Sequence, residues 1–164
     1  MRRRTLPSAK ADVTGSNPAG KSARQLAMDW LSRREHTLDE LRAKLAARDI
    51  DETDIEATVT TLADEGLASD ERFAESFVAA RLRRGQGPVR IRIDMGRKGV
   101  SAELIQTHVD AADEDWVARA IEVRRKRFGN SPPVAFREKA RQARFLQYRG
   151  FTTEQIQAAL AASE

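Results

Sequence analysis

The sequence predicts an all-α protein made of three tandem three-helix repeats forming an elongated, curved array. Three observations carry that prediction. Leu38–Val59, Pro88–Val109 and Lys139–Leu160 align over 22 residues without a gap, at offsets of 50 and then 51 residues. Within them Leu45, Met95 and Leu146 share a column, as do Ile55, Ile105 and Ile156, and Val59, Val109 and Leu160. Self-similarity at such a period marks stacked supersecondary units. Ahead of each block stands the same pair of apolar doublets, spaced i, i+1, i+4, i+5, which is one face of a further helix. They are Leu26-Ala27 with Trp30-Leu31, Phe73-Ala74 with Phe77-Val78, and Trp116-Val117 with Ala120-Ile121. Finally, 33% of the residues are charged, 5% are aromatic, and glycine and proline gather at the boundaries, a balance typical of soluble helical chains.

The divisions follow: a flexible basic arm over 1–20, with Arg2-Arg3-Arg4 among Ser, Thr, Gly, Pro and Asn, then modules over 21–66, 67–113 and 114–164. Each module is read as helices A, B and C. In module one, helix A begins near Ser22 and Thr37-x-x-Glu40 is a capping box for helix B, with Leu38, Leu41 and Leu45 inward. Helix C runs from about Glu52 to Glu65 on a stripe of Ile55, Val59 and Leu62 and stops at Gly66. In module two, Ser69 caps helix A, which carries Phe73 and Phe77 and ends in Arg81, Arg83 and Arg84. Gly85-Gln86-Gly87-Pro88 breaks the chain, and Pro88 suits the first position of helix B. That helix keeps Ile91 and Met95 inside and bears Gly96, which costs about 1 kcal/mol relative to alanine unless close packing requires it. Leu104, Ile105 and Val109 form the stripe of helix C. In module three, the acidic run Asp113 to Asp115 precedes helix A, which ends in Arg124-Arg125-Lys126-Arg127-Phe128. Beyond a loop at Asn130-Ser131-Pro132-Pro133, helix B places Arg137, Arg141, Arg144 and Tyr148 at i, i+4, i+7 and i+11.

The corner between helices B and C recurs as Arg48-Asp49-Ile50-Asp51, Lys98-Gly99-Val100-Ser101 and Arg149-Gly150-Phe151-Thr152. Just past a helix end the backbone often takes φ > 0, which Gly99 and Gly150 adopt without a Cβ penalty. Asp49 is the odd copy, acceptable because aspartate visits the left-handed region more readily than most residues. Asp51, Ser101 and Thr152 cap the following helices, and Thr152-x-x-Gln155 reads as a second capping box. The corner is architecture rather than a chemical site.

No catalytic constellation is present. There is no cysteine for a disulfide, a thiolate nucleophile or a thiolate metal site. His36 and His108 lack companions at ligand spacing, and Gly85-x-Gly87 lacks the lysine and preceding strand of a phosphate loop. No apolar stretch reaches membrane-spanning length, and no apolar run follows the amino-terminal arginines as a secretory signal requires. The chain therefore reads as a non-enzyme without metal or cofactor. Its net charge of +4 hides an asymmetry: residues 1–75 hold 12 Lys and Arg against 15 Asp and Glu, whereas residues 76–164 hold 17 against 10. The column of Glu40 becomes Arg90 and Arg141, and that of Ala47 becomes Arg97 and Tyr148. A basic half implies an acidic or polyanionic partner. The expected surface comprises Arg81, Arg84, Arg90, Arg97, Lys98, Arg124, Arg125, Lys126, Arg127, Arg141, Arg144 and Tyr148. Helix C, the natural reading helix of a DNA-binding trihelical unit, is acidic or neutral (Asp54, Glu56, Glu103, Gln106, Glu154, Gln157), which disfavours base reading. Non-specific phosphate binding and an inert scaffold are the alternatives.

Arg34-Glu35-His36, Gly66-Leu67, Asp70-Glu71-Arg72-Phe73-Ala74, Gly85-x-Gly87-Pro88-x-x-Ile91, Lys98-Gly99-Val100 and Ala143-Arg144-Phe145-Leu146-x-x-Arg149-Gly150-Phe151, in that order, resemble the bacterial RecX family over about residues 22–162. The resemblance implies tandem three-helix units, a cytoplasmic location and a role in homologous recombination, DNA repair and the SOS response. It also implies a partner, the RecA recombinase and its filament on single-stranded DNA, whose ATP hydrolysis, strand exchange and co-protease activity would be suppressed. Weak, non-specific binding of single- or double-stranded DNA and a monomeric state are expected alongside. Asp49, where the family commonly has glycine, and Gly96, inside a helix usually free of it, are departures.

Overall fold

Helices begin in this chain where a short polar side chain can take over free backbone amides. Ser22, Thr37 and Thr152 open α1 (Ala23–Leu31), α2 (Leu38–Ala46) and α9 (Thr153–Ala161) with reciprocal capping boxes to Gln25, Glu40 and Gln155. Asp51 and Ser69 cap α3 (Glu52–Asp64) and α4 (Asp70–Arg83), and Pro88 is the first residue of α5 (Pro88–Arg97). Ser101 and Asp115 cap α6 (Ala102–Ile105) and α7 (Trp116–Phe128), while α8 (Phe136–Arg149) starts without a side-chain cap. These nine helices come from a computed structural model that describes residues 20–110 and 114–162. The arm expected over 1–20 lies, apart from Gly20, outside the described residues, as does Asp113.

Each module buries its own core. Leu41, Leu45, Val59 and Leu62 are fully enclosed in the first, Ile91, Met95 and Val109 in the second, and Leu146 with Ala120 and Ala159 in the third. Complete burial of a Leu, Ile or Met side chain stabilises by roughly 1.5–3 kcal/mol. Trp116 packs on both the second and third cores and ties them together. Helix C of module two departs from the expected regular α-helix: after Ile105 it widens into a π turn over Gln106–Asp110. The wide turn still buries Val109, and its carbonyl accepts a hydrogen bond from the Trp116 indole N–H at 3.3 Å. The corners behave as read, with Gly99 at φ 80°, Gly150 at φ 94° and Asp49 at φ 57°. Around Gly96, by contrast, an added Cβ would meet nothing within 4 Å, so close packing is not what that glycine serves.

Successive modules are joined by one recurring contact: the amino-terminal end of helix B in one module seats on the B–C corner of the next. At the first joint the fully buried Thr37 donates its hydroxyl to the Lys98 carbonyl at 2.6 Å. At the second, Gly87 N–H donates to the Arg149 carbonyl at 2.8 Å and Val89 N–H to the Gly150 carbonyl at 2.9 Å. Lys98 and Arg149 occupy the same repeat position. The carbonyl end of α5 thus meets the amide end of α2, and that of α8 meets α5, a favourable head-to-tail alignment of helix dipoles. The two joints thus link module one to module two and module two to module three.

Candidate functional site

The two joints determine which cations are free. At the first, Lys98 Nζ donates to Glu40 at 2.6 Å, Arg34 approaches the same carboxylate at 3.1 Å, and Arg72 pairs with Glu35 at 2.9 Å. Burial alone would raise the Glu40 carboxyl, but hydrogen bonds from Arg34 and Lys98 outweigh it and hold the pKa at about 2. Nearby, His36 is buried; its Nδ1 donates to the Arg34 carbonyl at 3.0 Å, and Nε2 accepts from Lys44 at 3.1 Å. Burial lowers the pKa of both His36 and Lys44. This corner of the molecule is closed and its charges are spoken for.

The second joint has the opposite character. Arg90 and Arg149 stand at the repeat positions of Glu40 and Lys98, and two cations cannot pair. Each turns to a carbonyl instead: Arg90 donates to Tyr148 O at 3.2 Å and Arg149 to Arg84 O at 2.7 Å. Arg90 also stacks over the Tyr148 ring at 5.3 Å, leaving that ring 74% exposed. The guanidinium of Arg84 and the ammonium of Lys126 have no ion-pair partner among the described residues, nor does Arg144 further along α8; all three are exposed. Arg127 and Arg141 flank Phe128, at 5.7 and 5.2 Å from its ring, and Phe128 meets Phe145 edge-on at 5.2 Å. Arg149 lies over Phe145 at 5.1 Å, so cation–ring contacts run from Arg141 to the joint itself.

The remaining expected residues divide three ways. Arg81, Arg90 and Arg97 converge on Asp94, at 3.7, 4.0 and 3.8 Å, so one carboxylate partly neutralises that end of the surface. Lys98 is occupied by the first joint. Arg124 is a correction: it is fully buried, donating to the carbonyls of Ser131 and Asn130 at 3.0 Å each, and it pins the α7–α8 loop rather than facing outward. Burial, then the neighbouring Arg125, lowers its pKa. Arg125 is half-buried and lines a shallow depression with Lys126. The doublet spacing carries the signal for Arg124, since Trp116, Ala120 and Arg124 continue one helical face at steps of four. Asp94 was legible too, four residues after Arg90 and three before Arg97. Sequence reasoning also passed over Arg83, Arg119 and Arg149, which share the second joint.

Among the described residues no three His, Asp or Glu side chains are placed to hold a metal ion, and no helix is long and apolar enough to cross a membrane. Comparison with known proteins covers nearly the whole array. Models of the first, second and third three-helix domains of RecX match residues 23–62, 69–108 and 113–160. Regulatory protein RecX of Halorhodospira halophila is 46% identical over 152 residues, 93% of this chain and 94% of that protein. Its counterpart in Chromohalobacter salexigens is 44% identical, covering 82% and 88% of the two chains. Both relatives are named as regulatory proteins. The crystal structure of RecX from Lactobacillus salivarius superposes with a TM-score of 0.71 over 84% of this chain and 92% of that one; at 22% identity it supports the fold.

Proposed function

The chain belongs to the RecX family, and on that premise we propose that it regulates the RecA recombinase by binding RecA and its filament on single-stranded DNA. Cations of modules two and three carry the contact, and RecA ATP hydrolysis, strand exchange and co-protease activity fall as a result. The observation behind this reading is the division between the joints: the first gathers its cations around Glu40, while Arg84, Lys126, Arg127 and Arg144, at and beyond the second, are exposed with no ion-pair partner among the described residues. A line of small modules offers a long surface able to touch several subunits of a helical partner. Screening of these charges makes association sensitive to salt. The protein acts in the cytoplasm, as a monomer.

The test is RecA-filament ATPase titrated with substoichiometric protein. The triple variant Arg84→Glu, Lys126→Glu, Arg144→Glu weakens inhibition at least tenfold while far-UV circular dichroism stays unchanged; undiminished inhibition rules the surface out. A second reading, non-specific binding of a bare DNA strand, is favoured by one observation: the exposed Tyr148 ring beside Arg90 suits base stacking with phosphate contact. Gel shifts across a salt series separate the two. A strand binder shifts bare DNA at the concentrations that inhibit the filament, and a filament regulator does not.

A further inference from the structure

The second joint forms an open cleft of about 320 Å³ with walls from both modules, a volume at the lower end of the roughly 300–1,000 Å³ usual for small-ligand sites. Its two sides differ in chemistry. Arg83 and Arg84, at the end of α4, face the cavity together with Lys126 and Arg127 from α7, while Val123 and Phe145 supply an apolar floor. Arg83, Arg84 and Lys126 have no ion-pair partner among the described residues. The single carboxylate on the wall, Glu122, is engaged by Arg119 at 3.3 Å. Arg149 also lines the space and lies over the Phe145 ring at 5.1 Å.

We infer that this cavity is a nucleotide site: a phosphate group is gripped by the Arg83, Arg84, Lys126 and Arg127 cluster while the base lies over the apolar floor and the Arg149 guanidinium. Guanidinium forks match phosphate oxygens in pairs, and a guanidinium plane is a stacking surface for a base. An acidic peptide would satisfy the cations but leave the floor uncovered; an apolar ligand would do the reverse. Because the cations come from α4 on one side of the joint and α7 on the other, an occupied site clamps modules two and three together. The phosphate-and-base chemistry is shared by a free nucleotide and by one unit of a DNA strand. The site needs no recombinase, so it stands or falls apart from the filament reading.

Isothermal titration of the full chain tests it, using ATP, inorganic triphosphate, oligothymidylate and a glutamate-rich peptide as separate probes. ATP saturates at one per chain and raises the melting temperature, as any ligand selective for the folded state does. The double variant Arg84→Glu, Lys126→Glu weakens ATP at least tenfold. The charge-matched double variant Arg33→Glu, Arg48→Glu on module one changes it less than twofold, and both keep their helical content. Oligothymidylate that displaces ATP identifies a strand as the source; ATP unaffected by it identifies a free nucleotide. The inference is overturned by the absence of saturable heat, by inorganic triphosphate or the peptide binding as tightly as ATP, or by equal weakening in the two double variants.

Discussion

The two joints share one geometry and hold it by different chemistry. In the first, a side-chain hydroxyl seats on the corner carbonyl and a carboxylate, Glu40, gathers Lys98 and Arg34 around it. In the second, backbone N–H groups take the hydroxyl's place, and the position of Glu40 is held by Arg90. The difference teaches that repeat position fixes where modules touch, while the charge at that position decides whether the contact consumes cations or releases them to the surface. The Glu40-to-Arg90 change, legible as a polarised column, has a structural side: Glu40 stands where Lys98 meets it.

The largest expected effect comes from separating the second joint. At Gly87, where φ is −89° and imposes no strain, a Cβ would lie 2.5 Å from the Gly150 carbonyl carbon and oxygen. Gly87→Ala therefore forces the modules apart, with overpacking and two weakened backbone bonds costing about 3 kcal/mol. Urea denaturation followed by circular dichroism shows it as loss of a single cooperative transition. At the first joint the matching change is Thr37→Ala, which removes a buried cap and the bond to Lys98 and costs about 2 kcal/mol.

Acid separates the joints next. Glu40 is mostly buried and its pKa is held at about 2, below the ordinary 4.5. A depressed carboxylate contributes stability that is present above its unfolded pKa and disappears as pH falls through the folded one. The first joint accordingly weakens between pH 4.5 and 2, by about 2 kcal/mol after allowance for the half-exposed Arg34. Glu40→Gln flattens that pH dependence in urea titrations at pH 7 and pH 3. Arg90→Glu sharpens the comparison by giving the second joint the first joint's pairing: stability at neutral pH stays within about 1 kcal/mol of the parent, and a new acid-labile step appears on titration. The smallest effect is Gly96→Ala, whose Cβ would enter open space, and it stabilises by about 0.5–1 kcal/mol.

What was legible in the sequence was local. Caps, corners and core columns depend on residues within a few positions of one another, so Thr37-x-x-Glu40, the positive-φ corners and the buried Leu45, Met95 and Leu146 all emerged in place. The joints were not legible, because Thr37 and Lys98 are 61 residues apart and no periodicity links them. Within the candidate surface, charge alone could not separate Arg124 from Arg127: identical side chains three residues apart on α7, one enclosed against the α7–α8 loop, the other facing solvent. Helical phase held that distinction, and the run of basic residues masked it.

The left-handed Asp49 differs from the other two corners in what it leaves room for. Its corner is the one that no preceding helix occupies among the described residues, and it alone bears a side chain. At the occupied corners a Cβ would sit 2.7 Å from the Arg90 amide nitrogen or from the Asp39 Cβ. A second molecule offering the uncapped start of its α8, flanked by the outward-facing Val134 and Phe136, cannot seat there as α2 and α5 seat on theirs. Head-to-tail stacking of identical partners runs on into fibres unless its rotation closes a ring, and at the leading corner one carboxymethyl group stands in the space such stacking uses.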